Sequence, residues 1–230
     1  MIKENLCEVQ ENIRKACERA GRDVAEVTLI AVSKTKPLSM IEEAIEAGML
    51  EFGENKPQEM RDKSRKLETP VHWHMIGSLQ SNKIKYVVGT ACMIHSVDSV
   101  ALAAAIEKEA AKKELVVDVL LEVNMAEEES KHGFSAEEVQ AAVEEIAKFS
   151  HLRVRGLMTV APYTENAEEN RIYFRKMKEL LVDINAKNID NVCMDTLSMG
   201  MSSDYEVAIE EGATMVRVGT GIFGERDYSL

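Results

Sequence analysis

The chain has 230 residues, 45% of them hydrophobic, and a formal net charge of −12. That length suits one α/β barrel or two small domains and can bury a large core; the apolar share excludes disorder as the main state. The acidic balance makes nucleic acid a poor partner, because phosphate backbones are repelled, yet a local basic pocket could still hold a small anion.

The predicted elements alternate regularly. A first helix spans about 2–20, with Leu6, Val9, Ile13 and Cys17 at helical spacing and Gly21 as its stop. A strand follows at Val27–Lys34, then a helix opened by Pro37 and Ser39 and ended by Gly48. Next come a short strand at Glu51–Glu54, a charged helix at about 56–67, a strand at His72–Ile76 and a short helix near 81–87. A strand at Cys92–Val97 leads into an Ala-rich helix at about 99–112, and Val116–Asn124 is a long apolar strand. Ser135 and Glu138 have the spacing of a capping box for a helix running to about Phe149. Arg153–Val160, a helix at about 166–187, Cys193–Ser198, a helix at about 203–211 and Thr214–Val218 complete the series, before the turn GIFGERD.

Eight strands, each followed by a helix or helical turn, after one extra N-terminal helix, point to an α/β fold: a closed (β/α)8 TIM barrel as one domain over 1–230. An open doubly wound sheet is the alternative, weakened by the lack of GxGxxG after the first strand. Cys7, Cys17, Cys92 and Cys193 form no CxxC pair and read as free thiols in a reducing compartment. The N-terminus lacks an apolar signal-peptide core, and no apolar run approaches the roughly 20 residues of a membrane span. The expectation is a cytoplasmic monomer with no membrane partner.

In a barrel, sites lie at the C-terminal ends of strands. Thr28, Ile30, Val32 and Lys34 share one strand face, which directs Lys34 into the barrel mouth. A desolvated lysine beside Lys36 would have a lowered pKa and could attack an aldehyde as a neutral amine. The competing reading is a lysine that snorkels to solvent at the rim. The seventh strand ends in LSMGMSSD, with Ser198, Gly200, Ser202 and Ser203, and the eighth in RVGTG, with Gly219, Thr220 and Gly221. Small residues in the loops after strands seven and eight suit a phosphate site, although each alone is also ordinary turn chemistry. Arg217 lies inside an apolar strand and needs a core carboxylate such as Glu122 or Asp195, or a ligand acceptor. Against a pyridine nitrogen it would keep that nitrogen unprotonated, since it can only donate. His72 and His74 share one side of the third strand; HxH spacing suits a metal, but no third ligand stands out, so the rings are expected to line the mouth or pack at the wall, with no metal. His95, His132 and His151 carry no recognisable signal, and there is no GxSxG, HExxH or P-loop.

LIAVSKTKP (29–37), FGEN (52–55), HMIGSLQSNK (74–83), LLEVNMAEEESKHGF (120–134), RGLMTVAP (155–162) and LSMGMSSDYEVAIEEGATMVRVGTGIFG (197–224) together span nearly the whole chain. In these stretches the chain resembles the pyridoxal phosphate homeostasis protein family, which is itself similar to the barrel domain of bacterial alanine racemase without the C-terminal β-domain. The resemblance implies that Lys34 carries pyridoxal 5′-phosphate (PLP) as a Schiff base. It implies that Ser198, Gly200, Met201, Ser202, Gly219 and Thr220 hold or flank the phosphate, and that Arg217 faces the pyridine nitrogen. Asn55, His74, Ile76 and Met158 would line the pocket, with Lys131 as a secondary contact. The chain departs from the family at Lys56-Pro57, where an aromatic and a small apolar residue are usual, and at Ser78, where proline is common. The implied function is a carrier that buffers PLP and delivers it to PLP-dependent apo-enzymes, without robust catalysis. The alternative is a PLP-dependent amino-acid racemase; a metal-dependent hydrolase rests on HxH alone.

Overall fold

A computed structural model of the protein describes residues 1–128 and 132–225. Lys131 and the end of the GIFGERD turn lie outside the described residues. The strands are β1 (Thr28–Val32), β2 (Glu51–Glu54), β3 (His72–Met75), β4 (Ala91–Val97), β5 (Val117–Glu122), β6 (Leu152–Met158), β7 (Val192–Met201) and β8 (Met215–Val218). All pair in parallel with their sequence neighbours, and β8 returns to β1, so the sheet closes into an eight-stranded barrel. The helices are α1 (Ile2–Ala20), α2 (Leu38–Glu46), α3 (Pro57–Lys66), α4 (Val100–Lys112), α5 (Val139–Ile146), α6 (Arg171–Asn185), α7 (Tyr205–Glu210) and α8 (Thr220–Phe223). The expected barrel with an extra N-terminal helix is therefore the observed fold.

Side-chain alternation divides the barrel into two layers. Outward residues such as Ala31, Phe52, Trp73, Met75, Ile94, Val119, Leu121, Leu157 and Val216 join the helices in one continuous apolar core. Inward residues make a separate small cluster of Met93, Leu120 and Met158, flanked by Val160 and Met215. The same interior holds buried polar groups: His74, His95, Ser198 and Arg217.

Local chemistry explains the element ends. Gly21, at φ 64°, closes α1 in the left-handed conformation. Pro57 occupies the first turn of α3, where a missing N–H costs nothing, so the Lys56-Pro57 departure makes a sound helix start. The Ser135–Glu138 capping box forms in both directions, with Glu138 N donating to Ser135 Oγ and Ser135 N to Glu138 Oε2, each at 3.2 Å. Regular helix begins only at Val139, one turn later than the box predicts.

Three boundaries differ from the sequence reading in ways that matter. β1 stops at Val32, two residues before Lys34, because Thr35 takes a left-handed φ of 64° and folds the chain into a turn. β7 runs on to Met201, through the segment read as a loop after Ser198. The helix predicted at 166–187 starts as a 3-10 turn at Ala167–Asn170 before α6.

Candidate functional site

The turn that carries Lys34 is fixed from the layer between the barrel and α3. Ser33 N–H extends the ladder to Gly53 O at 3.1 Å, and Lys36 N–H closes the turn onto Ser33 O at 3.0 Å. Lys63, a buried lysine on α3, donates from Nζ to Ser33 O at 2.7 Å, Glu54 Oε1 at 2.6 Å and Glu59 Oε1 at 2.7 Å. Ser33 Oγ donates to the same Glu54 oxygen at 2.7 Å, and the N–H of strained Thr35 donates to Glu59 Oε1 at 2.7 Å. Burial pushes the Glu54 carboxyl above its usual range, against the pull of the Lys63 ammonium. Lys36 points elsewhere: its ammonium caps α8 through the carbonyls of Phe223, Gly224 and Glu225. It is therefore an anchor for the last helix, whereas the sequence reading placed it beside Lys34 as a modulator.

The loops after β7 and β8 meet. Gly219 N–H and Gly221 N–H approach Ser202 Oγ at 3.2 and 3.5 Å. Gly200, at φ 90°, lies so close to α7 that a Cβ would stand 2.6 Å from Ala208 Cβ and 2.9 Å from Tyr205 Cα. Only glycine lets β7 reach this far before turning. Met201 N–H is tied to Asp204 Oδ1 at 2.7 Å. Ser202, Gly219 and Thr220 thus share one rim, with Gly200 and Met201 shaping its approach.

Arg217 projects into the interior from β8, with a relative exposure of 4%. It donates from Nη1 to Ser198 Oγ at 2.5 Å and from Nη2 to Thr159 O at 2.8 Å. Burial lowers its pKa to about 10, opposed by the charges of Asp204 and Glu122, so it remains a cation at neutral pH. Neither expected carboxylate makes an ion pair with it among the described residues: Asp195 is bound instead by Arg155 Nη2 at 2.6 Å. Glu122 acts at a distance, and burial followed by the nearby Asp98 charge raises its carboxyl.

Below Arg217 a hydrogen-bonded chain crosses the barrel. Ser198 Oγ meets His95 Nδ1 at 2.9 Å, His95 Nε2 meets His74 Nδ1 at 3.0 Å, and His74 Nε2 meets Glu51 Oε2 at 2.8 Å. Arginine only donates and an ionised carboxylate only accepts. Burial raises the Glu51 carboxyl, but the bonds from His74 and His72 outweigh it and hold it below its usual range. With Glu51 ionised, His74 donates to it from Nε2–H; where His74 Nδ1 accepts, the other protons run the same way, from Arg217 through the Ser198 hydroxyl and the Nε2–H of His95. Burial, with the charges of His74 and Arg217, holds His95 well below the usual imidazole range.

The sequence-predicted residues therefore fall at three levels. Lys34, Asn55, Gly200, Met201, Ser202, Gly219 and Thr220 belong to the strand ends and loops of the C-terminal mouth. Ile76, Met158, Ser198 and Arg217 face inward beneath them; Ile76 and Ile30 close over Gly53, where a Cβ would lie 2.9 Å from each side chain. His74 is deeper, with both ring nitrogens engaged inside the barrel. Asn55 Oδ1 is buried without a hydrogen-bond partner. Sequence reasoning missed His95, Thr159 and the Ser33–Glu54–Glu59–Lys63 cluster. Alternation on β4 places His95 on the inward face with Met93 and could have found it.

Comparison with known proteins agrees with this fold. The model of the alanine racemase N-terminal domain matches residues 5–227. The pyridoxal phosphate homeostasis protein of Aquifex aeolicus is 47% identical over 226 residues, covering 98% of both chains. That of Pseudomonas aeruginosa is 42% identical, covering 99% of this chain and 96% of the relative. The structure of PipY from Synechococcus elongatus PCC7942 with PLP bound superposes with a TM-score of 0.84 at 33% identity, covering 97% of this chain and all of PipY. Alanine racemase of Clostridium difficile 630 shares the fold alone, with a TM-score of 0.72 at 14% identity over 56% of that chain. The chain belongs to the pyridoxal phosphate homeostasis protein family.

Proposed function

We propose that this chain binds PLP covalently through Lys34 and carries it, taking part in PLP homeostasis without robust catalysis. The observation that carries this reading is the convergence of three features on one barrel mouth: the clamped Lys34 turn, the joined loops after β7 and β8, and the buried Arg217 donor beneath them. Relatives that this chain matches over nearly its full length are named for PLP homeostasis, and PipY has been solved with PLP bound.

The residues present fit such a group. The orphaned Asn55 Oδ1 offers an acceptor whose burial without a partner is costly, and a ligand donor would satisfy it. The Gly219 and Gly221 N–H groups and the Ser202 hydroxyl offer donors for a phosphate at an otherwise acidic protein's surface. PLP, when bound, supplies an aldehyde for covalent attachment to the Lys34 amine. Ile76 and Met158 would pack against the ring, and His74 would act on it through His95 and Ser198. Arg217, a cation that cannot accept a proton, would leave the pyridine nitrogen unprotonated and weaken carbanion stabilisation. That is the chemical basis for a carrier.

The reading places the protein in the cytoplasm as a monomer, with PLP-dependent apo-enzymes as recipients. No helix among the described residues is long and apolar enough to cross a membrane. The test is to mix PLP-loaded protein with an apo-enzyme and, separately, with L-alanine in deuterated water. Transfer of PLP with negligible Cα exchange is the expected result. Rapid exchange and D-alanine formation that vanish in Lys34→Ala would replace the carrier with a racemase.

A further inference from the structure

The opposite, N-terminal mouth of the barrel gathers a second set of functional side chains. Glu51 is the first residue of β2 and pairs in register with His72, the first residue of β3. The inward alternation of β3 carries His74 to the same side. Cys92 would point outward if β4 were regular. The β3–β4 register instead steps from Trp73↔Ala91 to His74↔Met93, so Cys92 is the extra residue of a bulge. Bulges at barrel rims re-aim side chains. Here the bulge turns Cys92 Sγ to within 3.6 Å of His74 Nε2.

We propose that Glu51, His74 and Cys92 form a binding site for a borderline-soft divalent transition ion, zinc foremost, at the N-terminal mouth. Their ligand atoms all lie within 4.8 Å of one another. An imidazole nitrogen, a thiolate and a carboxylate are a donor set that suits zinc, with a fourth position open to water. Tetrahedral coordination at ordinary zinc bond lengths needs ligand atoms about 3.3–3.6 Å apart. The 3.6 Å S···N separation already meets this, and the 2.8 Å O···N contact must open by roughly half an ångström. Glu51 is half-buried at the mouth and can make that move.

The surroundings orient the ligands. His72 Nδ1 holds the other oxygen of Glu51 at 2.5 Å. His95 holds His74 Nδ1 from the interior, the outer-shell contact that fixes the tautomer and ring plane of a metal-bound histidine. When the ion binds, the Cys92 thiol loses its proton to solvent. Where His74 Nδ1 accepts in the metal-free protein, His74 and His95 both change to the Nδ1–H tautomer without gaining or losing a proton. His74 then donates to His95 Nε2, His95 donates to Ser198 Oγ, and the His74 Nε2 lone pair is free for the metal. The chain that runs from Arg217 to Glu51 in the metal-free protein thus reverses between Ser198 and His74.

The site is independent of Lys34 and is tested without added PLP. Chelator-treated full-length protein is titrated with Co(II) as the spectroscopic probe, then with Zn(II) as competitor. The expected result is one equivalent of Co(II), a near-ultraviolet thiolate charge-transfer band with strong visible bands of tetrahedral Co(II), and displacement by Zn(II). Cys92→Ser should abolish the charge-transfer band, and Glu51→Gln should keep it while weakening affinity about tenfold or more, which is about 1.4 kcal/mol. Both positions lie at the rim, and far-ultraviolet circular dichroism verifies the fold of each variant. Absence of saturable one-to-one binding, or a band and affinity unchanged in Cys92→Ser, would overturn the proposal.

Discussion

Lys63 Nζ donates to the carbonyl oxygen of Ser33 at 2.7 Å, one residue before Lys34. A buried ammonium on α3 thereby holds the backbone from which the proposed attachment lysine projects. Because Glu59 also receives the Thr35 N–H, the left-handed turn is gripped on both sides of Lys34.

Lys63→Met should strand Glu54 as a buried carboxylate and destabilise the protein by about 3–5 kcal/mol near neutral pH. The sign with pH follows from Glu54, whose carboxyl already lies above its usual range and rises further without Lys63. Below its unfolded pKa both states are protonated and no penalty exists; above it, only the native state stays protonated, so stability falls as pH rises. The deficit relative to wild type should shrink towards pH ~4.5, near the unfolded glutamate value, when followed by denaturant unfolding. A pH-independent deficit would show that Glu54 is not the stranded group. A lysine misplaced by about 1 Å can lose of order 10²-fold in rate, so borohydride-trappable attachment of PLP should slow. Pyridoxamine 5′-phosphate, which has no aldehyde, should still bind Lys63→Met. Loss of both ligands would indicate collapse of the mouth instead.

His95 gives a second pH signature. Its pKa lies well below the usual imidazole value, so the unfolded state takes a proton that the native state refuses. Stability from this group is present above pH ~6.5 and is lost as pH falls below it, at up to about 1.4 kcal/mol per pH unit. Replacement by glutamine, which can still bridge Ser198 and His74, should remove that slope between pH ~6.5 and ~5. An unchanged slope in chemical denaturation would assign the acid sensitivity elsewhere.

Ser202→Glu and Gly219→Asp place a carboxylate where the β7 and β8 loops converge. Two like charges about 4 Å apart repel by about 1–4 kcal/mol between water and a typical protein surface, so PLP affinity should fall by about tenfold or more. Pyridoxal lacks the phosphate and should bind nearly as it does to wild type. Equal losses for both ligands in titrations would contradict a phosphate role for this rim.

The barrel was legible in the sequence because βα alternation is a local property of hydrophobic period and turn residues. The position of Lys34 just beyond the end of β1 was legible for the same reason, as were the small residues at the ends of β7 and β8. What escaped the sequence lies across strands. No spacing rule joins Glu51, His74, His95 and Ser198, which come from four strands and meet only when the barrel closes. The Cys92 bulge is equally invisible, since one extra residue on one strand reverses the side its side chain faces. Arg217 shows the limit from the other side: its need for partners was evident, but the partners are a serine hydroxyl and the Thr159 carbonyl rather than a carboxylate. Lys63 sits in the charged run RDKSRK, where nothing distinguishes a buried ammonium from its solvated neighbours.

The most direct test of the account is to incubate the protein with PLP, reduce with borohydride and map the modified peptide by mass spectrometry. The account requires one adduct, on Lys34, that disappears in Lys34→Ala while the variant stays folded. Absence of any adduct in wild type, or an adduct confined to Lys36, Lys63 or Lys131, would contradict it.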